Sequence, residues 1–193
     1  MAFFIFLLKI ILTCWQENIM TKKKKNLSDH SSADIPNGQD LKIGIVTAQW
    51  NRTITDQLLD GCAQALKDHG VSENDIFSIQ VPGSYELPQG ARILLTRHRK
   101  LDAVICLGCV IKGETDHNNY INRAVASGLM QLGLTSGVPC IFGVLTPNSM
   151  EQAVERSGGK HGNKGIEAAI SALQMADLNK REGLPAHKIG FGL

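Results

Sequence analysis

The chain has few aromatic residues and little net charge. Aromatic residues make up 5% of its 193 residues, and 20 Lys and Arg against 18 Asp and Glu leave a net charge of +2. A chain this balanced lacks the basic footprint of a nucleic-acid-binding domain. Its five Cys have no regular spacing, which argues against a disulfide framework and for a reducing, cytoplasmic compartment. The 43% of hydrophobic residues excludes disorder over most of the chain, whose length suits one domain and a tail.

The sequence also lacks an apolar run as long as a membrane-spanning helix. The segment AFFIFLLKIILTCW at 2–15 contains Lys9 and is shorter than the about 20 residues of a membrane-spanning helix. A secretory signal carries its positive charges before the apolar run, whereas four lysines follow this one at 22–25. Either synthesis starts at Met20 and the preceding residues are a gene-model extension, or the run is a membrane tether. We favour the first and expect no membrane partner.

The composition changes after this run. Residues 26–40 are polar and contain Ser, Asp, Pro and Gly, a composition typical of a disordered segment. We therefore predict an apolar and then polar leader at 1–40, a folded domain at 41–180 and a flexible tail at 181–193.

Buried strands alternate with helices in the folded part. Continuous apolar runs rich in β-branched residues predict strands that are buried on both faces, and apolar residues at helical spacing predict the helices. The predicted strands are 41–48, 76–81, 103–111 and 139–146, and the predicted helices are 52–70, 84–97, 116–132, 150–156 and 166–178, with a glycine-rich break at 158–165. This alternation predicts an α/β fold with a four-stranded parallel sheet. Chemistry is then expected beyond the carboxyl ends of the strands.

Three familiar motifs are suggested by this sequence but are not supported by its details. The sequence GGKHGNKG at 158–165 lacks Walker A spacing and has Gly165 where Ser or Thr binds magnesium, and no GxGxxG follows the first strand. Cys106 and Cys109 form a CxxC pair inside a predicted strand, where their side chains point to opposite faces. Redox or zinc chemistry is therefore not predicted for them. We predict neither a metal nor a nucleotide cofactor.

The segment KGETDH at 112–117 joins a strand to a helix. Its turn amides, the Thr115 hydroxyl and the helix dipole suit a phosphate. His117 falls in the first helical turn, where the dipole favours a neutral imidazole that can accept and return a proton. The alternative is an exposed helix start with a solvated His.

Two further candidates follow the first and second strands. The flat ring of Trp50 can stack on a heterocycle, or it can simply pack at the rim of the core. Glu86 lies near a helix start that Ser84 can cap, and its carboxylate can accept hydrogen bonds from ligand hydroxyls. The alternative for Glu86 is an ordinary acid in a first turn.

A basic candidate comes later in the chain. Arg156 lies just before the glycine-rich break and can bind a phosphate bidentately, with added charge from Lys160 or Lys164. The alternative is a solvated basic patch. Phe142 lies inside the fourth predicted strand and belongs to the core by default.

These segments together resemble a known family. Trp50-Asn51, VPGSYELP, LGCVIKGETDH, IFGVLT and EQAVERSGGKHGNKG occur in the order and with the separations found in the lumazine synthase family, over a region from Leu41 to Asn179. The resemblance implies a flavodoxin-like, three-layer α-β-α sandwich. It also implies a transferase that joins 5-amino-6-(D-ribitylamino)uracil to 3,4-dihydroxy-2-butanone 4-phosphate. The product is 6,7-dimethyl-8-ribityllumazine, in the penultimate step of riboflavin biosynthesis, with release of phosphate and water and without cofactor or metal.

The resemblance also implies residue roles. His117 matches the proton-transfer residue. The residues implied to bind the pyrimidine and ribityl chain are Trp50, Ser84, Tyr85, Glu86, Cys109, Val110, Ile111 and, from a neighbouring subunit, Phe142. The residues implied to bind the phosphate are Glu114, Thr115 and Arg156, with Lys164 near that site. The sequence departs from the family at Glu114, where a small residue is usual, at Cys109, where Thr or Ala is usual, and at Lys112, which replaces Arg.

The resemblance finally implies an assembly. The family forms homopentamers with active sites at subunit interfaces, and in many members the pentamers close into an icosahedral, sixty-subunit capsid. The compact GGKHGNKG loop is similar to that of shell-forming members, and riboflavin synthase is an implied partner. Two other functions stay open at this point. A flavin- or lumazine-binding module would not need both His117 and Arg156, and a shell protein without catalysis would need neither.

Overall fold

A computed structural model describes residues 35–182 of the chain. The apolar run at 2–15, with its two interpretations, lies outside the described residues, as do most of the predicted leader and the tail beyond 182. No helix between residues 35 and 182 is long and apolar enough to cross a membrane.

Four parallel strands form the central sheet in the order β2-β1-β3-β4. They are β1 (Ile43–Ala48), β2 (Ile76–Val81), β3 (Ala103–Cys109) and β4 (Cys140–Leu145). β1 and β3 are buried along their whole length, which explains why their sequences are continuous apolar runs rather than alternating ones. The predicted four-stranded parallel sheet is confirmed.

Helices cover both faces of this sheet. They are α1 (Arg52–Asp68), α2 (Leu87–Arg97), α3 (His117–Ser136), α4 (Met150–Arg156) and α5 (Lys164–Arg181), with short 3₁₀ turns at Glu73–Asp75 and Ser84–Glu86. α1 and α5 pack on one face, and α2 and α3 pack on the other. The three-layer α-β-α sandwich of a flavodoxin-like fold is therefore confirmed.

Two hydrophobic cores lie on the two faces of the sheet. Ile45 and Leu107 belong to the core under α1 and α5, whereas Val46 belongs to the core under α2 and α3. The CxxC pair follows the same alternation, because Cys106 lies in the second core and Cys109 in the first. The prediction that these two thiols point to opposite faces is confirmed.

The structure corrects three local predictions. Ser84 does not cap α2, because it begins a 3₁₀ turn and the helix follows Glu86. β3 ends at Cys109, not at residue 111. The break at 158–165 contains a small antiparallel hairpin of β5 (Ser157–Gly159) and β6 (Gly162–Asn163), and α5 already begins at Lys164. Glycines at positive φ near both ends of the connecting turn make this tight reversal accessible.

Helix α3 carries more apolar residues than it buries in this chain's core. The sequence groups Tyr120, Ile121, Ala124, Val125 and Leu129 on one face, but only Val125 and Leu129 are buried, and Ile121 is partly buried against the same core. Tyr120 is 73% exposed, and Ala124 is also exposed. Helical spacing identifies neighbours on a surface but does not say which part of a broad apolar arc faces this chain's own core.

Candidate active site

Four segments meet in pairs beyond the carboxyl ends of the strands. The backbone amide of Trp50 donates to the carbonyl of Pro82 at 3.2 Å, which joins the segments after β1 and β2. The amide of Val110 donates to the carbonyl of Leu145 at 2.8 Å, which joins the segments after β3 and β4. The edge at which chemistry is predicted is therefore one continuous structure.

The Trp50 ring lies against the backbone of Gly83. A Cβ atom built on Gly83 would lie 2.8 Å from Trp50 Cε3, so only glycine allows the ring to lie this close. The ring is nevertheless 65% exposed. It is therefore not a core residue, and it offers a flat apolar surface at the sheet edge.

Asn51 is a site residue that the sequence analysis did not select. Its backbone is left-handed, with φ 58°, and its Nδ2 donates to the carbonyl oxygen of Cys109 at 2.9 Å. This bond ties the turn that carries Trp50 to the end of β3. The signal in the sequence is an Asn in the short turn between β1 and α1, since Asn tolerates the left-handed conformation better than most residues.

The Cys109 side chain faces away from this edge. It is buried in the core under α1 and α5, and burial raises the pKa of its thiol to about 11. The thiol is therefore neutral and enclosed, and this residue contributes its carbonyl to the edge. Val110 and Ile111 continue the segment and are half-buried.

The turn after β2 is built from buried and exposed residues. Ser84 is buried, and a Cβ atom on Gly108 would lie 2.6 Å from its hydroxyl oxygen, so β3 and this turn are in close contact. Glu86 accepts a hydrogen bond from the amide of Gly83 at 2.9 Å. Its carboxylate therefore stabilises the turn beneath Trp50, while the neighbouring Tyr85 is exposed.

His117 is the first residue of α3, directly after the N-cap Asp116. The predicted position in the first helical turn is confirmed. The preceding residues Glu114 and Thr115 are exposed, and the space beside Gly113 is open within 4 Å. An accessible turn that leads into a helix N-terminus provides amide donors for an anion.

Phe142 lies inside β4, opposite Cys106 in the neighbouring strand. It is half-buried against the core under α2 and α3. This position three residues before the end of the strand agrees with the expectation that it is core by default. Within one chain, the hydrogen bonds that assemble the edge do not include this residue.

Arg156 ends α4, and its guanidinium is held by two partners. Nη1 donates to the carbonyl of His161 at 2.6 Å and to Glu167 Oε1 at 2.7 Å, and Nη2 donates to Glu167 Oε2 at 3.0 Å. A guanidinium has five N–H groups in a planar fork. Among the described residues, the Nε–H and one Nη2–H are therefore left over, and they lie side by side. That pair matches the geometry of a bidentate contact to a phosphate.

Glu167 is the second residue that the sequence analysis missed. It also accepts a hydrogen bond from Lys164 Nζ at 3.2 Å, and its side chain is only 12% exposed. Burial acts to raise the pKa of Glu167, but the hydrogen bonds and charges of Arg156 and Lys164 outweigh burial and lower the pKa. Two cations share one carboxylate, so the cluster keeps a net positive charge. Its sequence signal was an acid three residues after Lys164, at the spacing of helix neighbours.

No group of three or more side chains that could hold a metal ion occurs within residues 35–182. The described site offers instead a flat ring, a histidine at a helix start and an arginine with an available edge. These groups can bind a planar heterocycle, transfer protons and hold an anion.

Comparisons with known proteins show which family the sequence matches. Residues 40–180 match the model of the family described as 6,7-dimethyl-8-ribityllumazine synthase. A protein of that name from Porphyromonas gingivalis is 49% identical over 155 residues, which cover 80% of this chain and 96% of the relative. Proteins of the same name from Cytophaga hutchinsonii and Parabacteroides distasonis are 49% and 42% identical, covering 81% and 83% of this chain and 97% and 99% of those relatives.

Proposed function

This chain belongs to the 6,7-dimethyl-8-ribityllumazine synthase family, a family of transferases in riboflavin biosynthesis, and we propose that it catalyses the reaction of that name. It condenses 5-amino-6-(D-ribitylamino)uracil with 3,4-dihydroxy-2-butanone 4-phosphate and releases phosphate and water. The observation that carries the proposal is the assembly of Trp50, the turn at Ser84–Glu86 and His117 at one edge of the sheet.

The pyrimidine binds on Trp50. The exposed indole is supported from below by Gly83, so it stacks on the flat ring without first moving out of a core. The segments Ser84–Glu86 and Cys109–Ile111 line the ring and the ribityl chain. Cys109 contributes backbone only, because its thiol is buried on the other side of β3.

His117 transfers protons. The amine of the pyrimidine attacks the ketone to form an imine with loss of water, phosphate is eliminated, and the ring closes with loss of a second water. These steps require protons to leave nitrogen and to reach departing oxygen, and an exposed imidazole can carry them in both directions. Much of the rate enhancement arises from holding the two reactants together in one site.

The phosphate binds to Arg156 and to the turn at Glu114–Thr115. The available Nε–H and Nη2–H edge of Arg156 binds two phosphate oxygens, and the turn amides before α3 add donors. Glu114 turns its own carboxylate to solvent, as its exposure allows. Glu167 keeps the guanidinium in one orientation through two hydrogen bonds.

The active form is a homo-oligomer in which Phe142 reaches a neighbouring subunit's site. Support comes from α3, on which Tyr120, Met130 and Leu134 are 73%, 64% and 65% exposed in the single chain. Exposed apolar residues along one helix are typical of an interface. A pentamer, its closure into a sixty-subunit shell and an association with riboflavin synthase follow from family membership.

Four free cysteines among the described residues suit a cytoplasmic location.

Mixing the purified protein with the two substrates tests the proposal. We expect lumazine fluorescence and inorganic phosphate to appear in a one-to-one ratio. A binding module for flavin or lumazine would change the fluorescence of added ligand without turnover, and a shell protein without catalysis would do neither. Either of those outcomes would refute the enzyme.

A further inference from the structure

Two buried side chains attach the hairpin of β5 and β6 to α1: Ser157, whose Oγ donates to Gln57 Oε1 at 2.6 Å, and Asn163. Asn163 Nδ2 donates to the carbonyl of Gln57 in α1 at 2.9 Å and to the carbonyl of Ser157 across the hairpin at 3.0 Å. Its Oδ1 accepts a hydrogen bond from the amide of Gly165 at 2.7 Å and so caps α5. This carboxamide therefore joins three elements, and the residue is 8% exposed.

The same hairpin determines the orientation of Arg156. The carbonyl of His161, in the turn between β5 and β6, accepts from Arg156 Nη1 at 2.6 Å. Glu167, which binds the end of the guanidinium, lies in the first turn of α5, the helix that Asn163 caps. Both partners of Arg156 thus belong to segments whose positions depend on Asn163.

We propose that Asn163 is a positioning residue for the phosphate site. By fixing the hairpin and the start of α5, it fixes the direction of the Nε–H and Nη2–H edge of Arg156. Asn163 itself is buried and does not touch the substrate. This inference depends on the proposed function, because it assigns the anion at Arg156 to the phosphorylated substrate.

Two substitutions disturb Asn163 in different ways. Asn163→Ala removes the hydrogen bonds to Gln57, Ser157 and Gly165. Gly61→Ala keeps the carboxamide but displaces it, because the added Cβ atom in α1 would lie 2.6 Å from Asn163 Nδ2 and 3.0 Å from its Oδ1. Alanine is also a better helix former than glycine, so a kinetic defect of Gly61→Ala does not reflect a weaker helix. Asn179→Ala is the matched control, because the Asn179 side chain in α5 makes an exposed hydrogen bond to the carbonyl of Gly137 at 3.2 Å, away from the hairpin.

Steady-state kinetics with each substrate varied separately test the inference. We expect Asn163→Ala and Gly61→Ala each to raise the KM of the phosphorylated substrate about tenfold, equivalent to ~1.4 kcal/mol, and to change the KM of the pyrimidine less than about twofold. The double variant should be no worse than Asn163→Ala, since the three atoms nearest to the added Cβ all belong to the carboxamide that is then absent. Asn179→Ala should match the wild type.

A general loss of structure would not produce this selectivity. If both KM values rise together, or if only kcat falls in Gly61→Ala, Asn163 has no particular role at the phosphate site and the inference is wrong. If Asn163→Ala does not fold, the result for Gly61→Ala decides. A wild-type protein that makes no lumazine overturns the proposed function together with this inference, whereas an active wild type with unchanged variants overturns the inference alone.

Discussion

At the scale of single residues, the proposed function assigns Trp50 and Arg156 to different reactants. We predict that Trp50→Ala raises the KM of the pyrimidine about tenfold and that Arg156→Ala raises the KM of the phosphorylated substrate by at least as much, with little effect of either on the other substrate. Trp50 is 65% exposed, so its loss costs binding rather than stability. Separate KM measurements check this. An unchanged KM for the phosphorylated substrate in Arg156→Ala would refute the phosphate role.

The proposed function gives His117 the proton transfers of a reaction that also depends on holding two substrates together. We predict that His117→Ala lowers kcat by no more than about a hundredfold, near the lower end of general acid–base effects. The remaining rate comes from holding the two substrates together. Single-turnover assays of the wild type and His117→Ala measure this fall in rate. A loss above about ten-thousandfold would show that proton transfer carries more of the catalysis than this account gives it.

Residue types and spacing predicted the positions of His117 and Trp50 but not the partners of Arg156. A histidine at a strand-to-helix junction and a tryptophan after a buried strand are local patterns. Glu167 and Asn163 act through contacts between α4, the hairpin, α1 and α5, and such contacts arise only when the helices pack. A single sequence does not contain that information in any local window.

At the scale of elements, the sheet followed from the sequence more readily than the helix surfaces did. Apolar runs identified all four strands because strands buried on both faces need apolar residues at every position. The hairpin at Ser157–Asn163 was expected only as a break, since its strands are two and three residues long and have no periodicity. Tyr120 was grouped with the core residues of α3, although the folded chain exposes it.

The crossing of α1 and α5 depends on Gly165. A Cβ atom on this residue would collide with the backbone carbonyl of Leu58, which cannot rotate away as a side chain can. We predict that Gly165→Ala lowers the free energy of unfolding by about 3 kcal/mol. Urea unfolding at fixed protein concentration measures this change in the free energy of unfolding. Gly113→Ala is the control, because the space beside Gly113 is open, and equal stability of the two variants would contradict the prediction.

The pairing of α4 with α5 should weaken in acid. Hydrogen bonds from Arg156 and Lys164 lower the pKa of Glu167 in the folded chain despite burial. A lowered folded-state pKa means that the stabilisation is present above the pKa of the unfolded chain, about 4.3, and is lost as the pH falls through the folded-state value. We predict that the stability difference between wild type and Glu167→Gln shrinks between about pH 6 and pH 3.

Urea unfolding across this pH range checks the prediction. Glu114→Gln is the matched control, because Glu114 is an exposed acid in a loop, and its stability should follow the wild type at every pH. A difference between wild type and Glu167→Gln that stays constant down to pH 3 would show that the ion pair does not stabilise the fold.

At the scale of the whole molecule, α3 exposes large apolar side chains in the single chain. Met130 and Leu134 lie one turn apart and are both mostly exposed. An aspartate in place of either would be solvated in a monomer and would cost little stability. In a buried interface the same charge would lose its water, which is unfavourable. We predict that Met130→Asp shifts the sedimentation coefficient towards smaller species and lowers activity at least tenfold. Thr135→Asp, on the exposed surface of the same helix, is the control. Unchanged sedimentation of Met130→Asp would exclude α3 from the interface.

The central claim is that a pocket between two copies of this chain holds the pyrimidine on Trp50 and the phosphate on Arg156. A crystal structure of the protein with a ribitylaminopyrimidine analogue that carries a phosphonate arm tests this claim most directly. We predict that the ring stacks on the indole, that the phosphonate binds the Nε–H and Nη2–H edge of Arg156, and that Phe142 of a neighbouring subunit closes the pocket. A ring far from Trp50, or a phosphonate away from Arg156, would contradict the account.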